Sequence, residues 1–535
     1  VTGTGAAPRR TSVLRQAALR VATGVVTLVY RMYRVHPALW RFTARNYHPA
    51  MERFARLNAW MICQHAYLDV PAYRRHVEEH GFRFRWWDLT AYEPTSKHGY
   101  VDRYPEAERC WDGEIRTVGT VVDESSGSSG TPYNWLRSKR ELATVHKNVA
   151  GYVTQIFGTR GLFAINAFSM GAWATGTNTG IAMSRIAMVK NTGPEIDKIV
   201  DTLRHFGPGY TYLVCAYPPF LKHLRDRLDA DGFDWDAYDL NGFVGGEALT
   251  EGLRDYLEDR FGRVYSGYGA SDLTIGMAGE SDLTVWLRRA LIAHEPLRRE
   301  VLGDGEARTP MVFQYNPLET YLETTSDGRL LVTLNSADIM SPKLRYDIGD
   351  EAMILSFDAM RAAVDRLPEP LRSRLTFGVE RAAAVQGMRL PLLLLFGRKD
   401  STVSYMGANL YPLDVENGLY LDNPHAAAIE SFKLSLVDIG DHEQRPGIHL
   451  QLRAHAALDD AERADLASRA AAGVLRHLAS VSRDVAQSLE EDPTASDLRV
   501  EVHAHGTGPF AGGSTKIKNV YLVDEGDRDV PSAAR

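Results

Sequence analysis

Apolar residues recur along this chain in two rhythms. From Met51 to about Gly81 the segment MERFARLNAWMICQHAYLDVPAYRRHVEEHG repeats them at helical spacing, which predicts a helix ending on Gly81. Further on, the apolar runs GLFAINAF, TYLVCAY and LNGFVGG read as buried strands. They alternate with GPEIDKIVDTLRHF and PPFLKHLRDRLDADG, which read as helices. Strands alternating with helices predict an α/β fold whose β-sheets are covered by helices. Two more helical stretches, WLRRALIAHEPLRREVLG and DAMRAAVDRLPEPLRSRLTFGVERAAAV, read as additions between strand-rich segments.

A length of 535 residues exceeds what one core supports, so more than one domain is expected. The strand and helix set after LLLLFGRKDSTVSYMG has the size of a compact domain of its own. The expected division is an arm over 1–50, a large domain over 51–399 and a small α+β domain over 400–535. The tail after Asp524 is acidic and small, and a frayed end is expected there.

Charge changes the picture at one place. Overall the chain is ordinary for a soluble globular protein, with 44% hydrophobic and 24% charged residues. Its net charge of -7 gives no reason to expect nucleic acid. The first fifty residues, however, carry Arg9, Arg10, Arg15, Arg20, Arg31, Arg34, Arg41 and Arg45 and no acid. The apolar run VATGVVTLVY between Arg20 and Arg31 is shorter than the roughly 20 residues of a membrane span. The arm is read as an amphipathic helix that either packs on its own domain or touches anionic lipid or a partner. Cys63, Cys110 and Cys215 are far apart and read as buried thiols, without a disulfide framework or zinc site. A cytoplasmic location is expected.

Candidate chemistry begins at DESSGSSGTP, residues 123–132, which follows the strand-like RTVGTVV. The loop lacks the lysine of the Walker pattern. Its glycines would still let backbone N–H groups converge on an anion, and Ser126, Ser128, Ser129 and Thr131 can donate to phosphate oxygens. Taken alone it is either a phosphate cradle or a polar turn. Downstream, in order, come GGEALT (245–250), SGYGASD (266–272), RYDIGD (345–350), GRKDSTVSYMGANLYPLDVE (397–416) and GGSTKIKNVY with Lys516. Individually, Asp350 reads equally as a β-turn aspartate, Tyr268 as a core aromatic and Lys516 as a solvated charge.

The set and its order resemble the adenylate-forming superfamily of acyl-CoA synthetases, peptide-synthetase adenylation domains and luciferases, from about residue 60 to 525. VPAYRRHVEEHGF followed by EPTSK looks closest to the phenylacetate-CoA ligase branch. The resemblance implies that Ser126, Ser128, Ser129, Gly130 and Thr131 hold the phosphates of ATP. Gly245, Gly246 and Glu247 would lie on the adenine side, Tyr268 would stack on adenine, and Gly269 and Ser271 would belong to the same site. Asp272 stands where the family usually has a magnesium-binding glutamate, one methylene shorter. Asp350 would accept the ribose hydroxyls, and Arg398 would contact ribose or phosphate. Asp400 would be the hinge of a mobile C-terminal domain. Lys516, with Lys518 as its competitor, would bridge the carboxylate and the α-phosphate, although Thr515 replaces the usual glycine. The acyl pocket would draw on NAFSMGAWATG and GYGASDLTIG. There Phe168, Met170, Trp173 and Ile275 suggest an aryl or medium-sized acid, or are core.

The function so implied is an AMP-forming ligase that uses ATP and Mg2+ to activate a carboxylic acid and passes the acyl group to coenzyme A. The long segment between Asp350 and Gly397 suggests an alternative acceptor, an amine or other nitrogen nucleophile. Asp272 and the acid-free arm suggest a third reading, an inactive nucleotide-binding scaffold. Expected partners are a small carboxylic acid, coenzyme A or an amine, a membrane or protein surface at residues 1–50, and a second copy of the chain.

Overall fold

In a computed structural model, the structure describes residues 13–35, 37–124, 133–171, 174–246, 248–306, 308–398, 403–405, 408–440, 443–481 and 498–511. The chain forms two compact units, one made of 1–122, 136–144 and 316–348, the other of 123–135, 145–315 and 349–535.

The first unit is built on helices Val13–Val35, Pro37–Arg45, Pro49–Asp69 and Pro71–Glu79. The single helix expected from Met51 to Gly81 is therefore two. Val70 is extended and Pro71 opens the second helix, because proline lacks the N–H that would continue the first. Gly81 follows the end of the second helix at φ 75°, as expected for a residue past a helix terminus. Trp60, Tyr73 and Tyr92 are fully buried here. Asn335 fixes the hairpin of Thr320–Thr324 and Arg329–Leu334 to the helices by donating to the carbonyl of Ala55 at 3.1 Å. Helix Val13–Val35 buries Leu19, Thr23 and Tyr30, with Tyr30 stacked on Phe54 at 5.8 Å, and Arg20 pairs with Asp69 at 2.6 Å. Its other side leaves Val21, Val25, Leu28 and Met32 in solvent, each more than half exposed. No helix among the described residues is long and apolar enough to cross a membrane.

The second unit holds a mixed sheet. Strands Met188–Asn191, Leu162–Asn166, Thr211–Ala216, Asp239–Gly245 and Val264–Tyr268 lie side by side in that order, all parallel. Antiparallel pairing then carries the sheet through Ala278–Gly279, Met311–Tyr315 and Leu392–Arg398. The last of these pairs with residues 350–355 of the strand Tyr346–Leu355. Helices Ile196–Phe206, Pro218–Ala230 and Glu251–Glu258 connect the parallel strands, as the alternation of apolar runs predicts.

The two helical additions share a core with the sheet. Asp282–Ala293, Glu295–Leu302, Phe357–Asp365 and Leu371–Gln386 form one layer. Leu287, Leu291, Met360, Val364 and Val379 are buried there with Val312, Leu392 and Leu394 of the sheet. Burying several such side chains stabilises the layer by roughly 1.5–3 kcal/mol each.

C-terminal to this, helices Pro412–Tyr420 and Asp460–Val481 cover a small sheet. In it Glu443–Leu452 pairs antiparallel with Ile429–Gly440 and parallel with Arg499–His503. The two helices cross at glycines. A Cβ on Gly418 would lie 2.3 Å from Val474 Cα, and one on Gly473 would lie 2.4 Å from the carbonyl oxygen of Gly418. The fold class is thus α/β with a smaller α+β C-terminal region, as the sequence predicts. All three cysteines are buried free thiols; burial pushes those of Cys63 and Cys215 up to about 12 and that of Cys110 up to about 11.

Candidate functional site

Parallel strands end together, and their carboxyl ends are where an open α/β sheet presents loops to a ligand. Strand Asp239–Gly245 ends on a glycine pair. A Cβ on Gly245 would stand 3.0 Å from the carbonyl oxygen of Gly267 on the next strand, and Gly246 has φ 83°, so both positions favour glycine. Thr250 closes the segment by capping helix Glu251–Glu258, its hydroxyl accepting from the N–H of Leu253 at 3.1 Å.

The neighbouring strand ends on Tyr268. Its phenol donates to Asp350 Oδ2 at 2.5 Å, and its ring stacks on Phe313 at 5.7 Å and 29°. Asp350 is 7% exposed and sits opposite Arg398 across the strand pair, just after Gly349 at φ 86°. After Tyr268 the chain folds back. The N–H of Met277 donates to the carbonyl of Tyr268 at 2.9 Å, and a Cβ on Gly269 would lie 2.8 Å from the carbonyl oxygen of Thr274. Ser271 and Asp272 lie on this tight return and are half-buried.

Behind Tyr268 lies a buried ionic brace. Glu280, fully buried, accepts from the N–H of Ser266 at 2.7 Å and from Arg254 at 2.6 Å. Arg254 also reaches Glu251 at 3.1 Å, and Arg288 joins Glu251 at 3.2 Å and the carbonyl of Leu249 at 2.5 Å. Burial drives the Glu280 carboxyl above its usual range. For Glu251 burial also acts upward, but Arg254, Arg288 and Arg289 outweigh it and hold the group below that range. The brace ties the segment after one strand, at Leu249, and the middle of the next strand, at Ser266, to one set of charges.

The strand Leu162–Asn166 contributes a second polar cluster. Asn166 donates to the carbonyl of Gly176 and to Asn191 Oδ1, both at 2.8 Å. His146 Nε2 donates to Asn178 Oδ1 at 2.8 Å, and Asn178 Nδ2 lies 3.5 Å from Asp123 Oδ2. Burial lowers the pKa of His146. Asp123 is the residue from which the serine-glycine loop departs, so this relay anchors the root of that loop. Phe168 is 2% exposed, edge-on to Tyr217 at 5.0 Å, and Ile275 packs partly buried against the same cluster. Met170 is 37% exposed.

Two solved structures of one enzyme are similar to this chain. The 2-hydroxyisobutyryl-CoA ligase in the postadenylation state, in complex with R3-HIB-AMP, matches with TM-score 0.61 and 16% identity over 88% of this chain and 89% of that one. Its thioesterification state, with 2-HIB-AMP and CoA, matches with TM-score 0.50 and 16% identity over 86% and 88%. The chain has the fold of that ligase. No protein-family model matches the sequence, and no curated protein matches it.

Within this fold the structure brings Gly245, Gly246, Tyr268, Gly269, Ser271, Asp272 and Asp350 to one end of the sheet, with the backbone of Arg398 beside Asp350. Ser126, Ser128, Ser129, Gly130, Thr131, Trp173, Glu247, Asp400, Lys516 and Lys518 lie outside the described residues. Sequence reasoning missed the Arg254–Glu280 brace and the His146–Asn178–Asp123 relay. The one available signal was Glu280 itself, an acid inside the small-residue run GMAGES.

Proposed function

We propose that the protein is an AMP-forming ligase that activates a carboxylic acid with ATP and transfers the acyl group to coenzyme A, of the phenylacetate-CoA ligase type. The observation that carries this reading is the Tyr268–Asp350 pair at the strand ends of an adenylate-forming fold. The phenylacetate branch rests on the sequence motifs alone.

A carboxylate has about four lone-pair sites, enough to accept from Tyr268 and from the two hydroxyls of a ribose. Asp350 therefore sets the nucleoside, with Tyr268 holding its carboxylate and facing the base. Gly245 and Gly246 let the neighbouring loop approach closely. The serine-glycine loop takes the phosphates through its hydroxyls and N–H groups. A half-buried aspartate keeps room for the waters that magnesium retains, so Asp272 suits that ion, which would offset phosphate charge when bound.

In the first half-reaction an oxygen of the substrate carboxylate attacks the α-phosphorus. The α–β phosphoanhydride bond breaks and pyrophosphate leaves with the electron pair. Lys516 neutralises charge on the α-phosphoryl oxygens. In the second, the thiol of coenzyme A loses its proton to solvent, its sulfur bonds to the acyl carbon, and the acyl C–O bond to the phosphate breaks so that AMP leaves with the electron pair. Residues 400–535 act as the domain that moves between these steps about Asp400. Phe168 and Ile275, in one apolar cluster, fit an aryl or medium-sized acyl group.

The arm has a separate role in this proposal. Val21, Val25, Leu28 and Met32 form an exposed stripe at helical spacing, in a region with eight arginines and no acid, which suits an anionic membrane surface.

The deciding experiment is acid-dependent exchange of labelled pyrophosphate into ATP over a panel of aryl and alkyl acids. Exchange with one acid class supports the reading and names the substrate class. No exchange with any acid, together with no ATP binding by calorimetry, overturns it.

A further inference from the structure

On the small C-terminal sheet, alternation sends Ile448, Leu450, Val500 and Val502 into the apolar core under helix Asp460–Val481. The opposite face carries His449, Glu501 and His503. His449 and Glu501 are register partners on adjacent parallel strands, and His503 follows two residues on, so all three side chains share that face. His449 Nδ1 lies 3.1 Å from His503 Nε2 and 3.4 Å from Glu501 Oε2, and His503 Nε2 lies 3.7 Å from Glu501 Oε2.

We propose that His449, Glu501 and His503 form a binding site for a divalent transition metal of the zinc class. Three ligands at zinc bond lengths of about 2.0–2.2 Å stand roughly 3.3–3.6 Å apart along the edges of a tetrahedron. The three separations observed here cluster around that spacing. The imidazoles are largely buried, with side chains 12% and 18% exposed, while that of Glu501 is 44% exposed, so the fourth position faces water.

The surroundings support the assignment. His449 presents Nδ1 to the site while its Nε2 lies 2.9 Å from Ser435 Oγ, a buried hydroxyl that accepts the remaining ring N–H and so fixes the tautomer. Lys433, the register partner of His449 on the other side, donates to the carbonyl of Pro509 at 2.7 Å and covers the ring of Phe510, which places its charge on a carbonyl. His505 is held by Glu430 at 2.5 Å. The metal would clasp the edge strand Arg499–His503 to its neighbour. That strand leads in sequence to the glycine-rich segment carrying Lys516.

The test uses the full chain, free of any affinity tag and stripped with chelator, titrated with zinc by calorimetry and with cobalt by visible absorption. The expected result is one equivalent of zinc, cobalt bands of four-coordinate type, and a higher unfolding temperature with zinc. His449→Ala and His503→Ala should lose that equivalent. Ser435→Ala, which keeps every ligand, should weaken zinc binding about 10–100-fold. The wild-type titration decides even if a histidine variant fails to fold. Absence of a stoichiometric equivalent, or equal affinity in wild type and His503→Ala, overturns the site.

Discussion

Tyr268 and Asp350 stand 82 residues apart in sequence, and the phenol of one donates to the carboxylate of the other at 2.5 Å. Hydrogen bonds to a charged group contribute roughly 1.5–3 kcal/mol net, which corresponds to about tenfold or more in an equilibrium. In Tyr268→Phe the apparent KM for ATP in pyrophosphate exchange should rise about tenfold. Asp350→Ala should lose at least about a hundredfold in kcat/KM, because the acceptor itself is gone. Equal effects from the two changes would contradict an accessory role for the tyrosine.

Lys516→Ala should cut acyl-adenylate formation by orders of magnitude while sparing thioester formation from supplied acyl-adenylate. Lys518→Ala should leave both half-reactions near wild type. Exchange assays and single-turnover thioester assays separate the two outcomes, and the reverse pattern would reassign the lysine.

Glu280 is fully buried with Arg254. Removing one partner of such a pair costs about 3–5 kcal/mol, and because Arg254 keeps Glu251 at 3.1 Å the loss should lie at the lower end of that range. Glu280→Leu should lower the denaturation midpoint accordingly. The double variant Glu280→Leu/Arg254→Met should recover much of the loss. A double variant as unstable as the single one would show that shape, not charge, dominates there.

His146 and His76 both have pKa values lowered from 6.5, chiefly by burial. A histidine kept neutral in the folded state adds no pH dependence above 6.5. As pH falls below that value the unfolded chain takes up the proton first, so stability declines towards the folded-state pKa. Denaturation midpoints should therefore fall on acidification below pH 6.5. His146→Gln should reduce the slope by up to about one proton. An unchanged slope would remove His146 from this account.

The exposed stripe on helix Val13–Val35 predicts binding to vesicles of anionic lipid and little to neutral ones. Val25→Glu with Leu28→Glu should abolish co-sedimentation without altering pyrophosphate exchange. Binding that survives deletion of residues 1–50 would place the contact elsewhere.

Apolar rhythm was enough to read the parallel strands and their helices, because buried strands and amphipathic helices answer mainly to local patterning. It failed at Pro71, where a missing N–H divides one apolar period into two helices. It also could not tell whether the helical additions were decoration, since an amphipathic helix shows an apolar face without showing what covers it.

By itself, then, the sequence determined the α/β class, the buried thiols and the ordered motifs that single out Tyr268, Asp272 and Asp350. Tertiary structure alone decided that Tyr268 bonds Asp350, that Glu280 braces the strand carrying Tyr268, and that His449 meets Glu501 and His503 across a strand pair. Such contacts depend on register between distant segments. Register is fixed by sheet pairing and core packing, which no short stretch of sequence records.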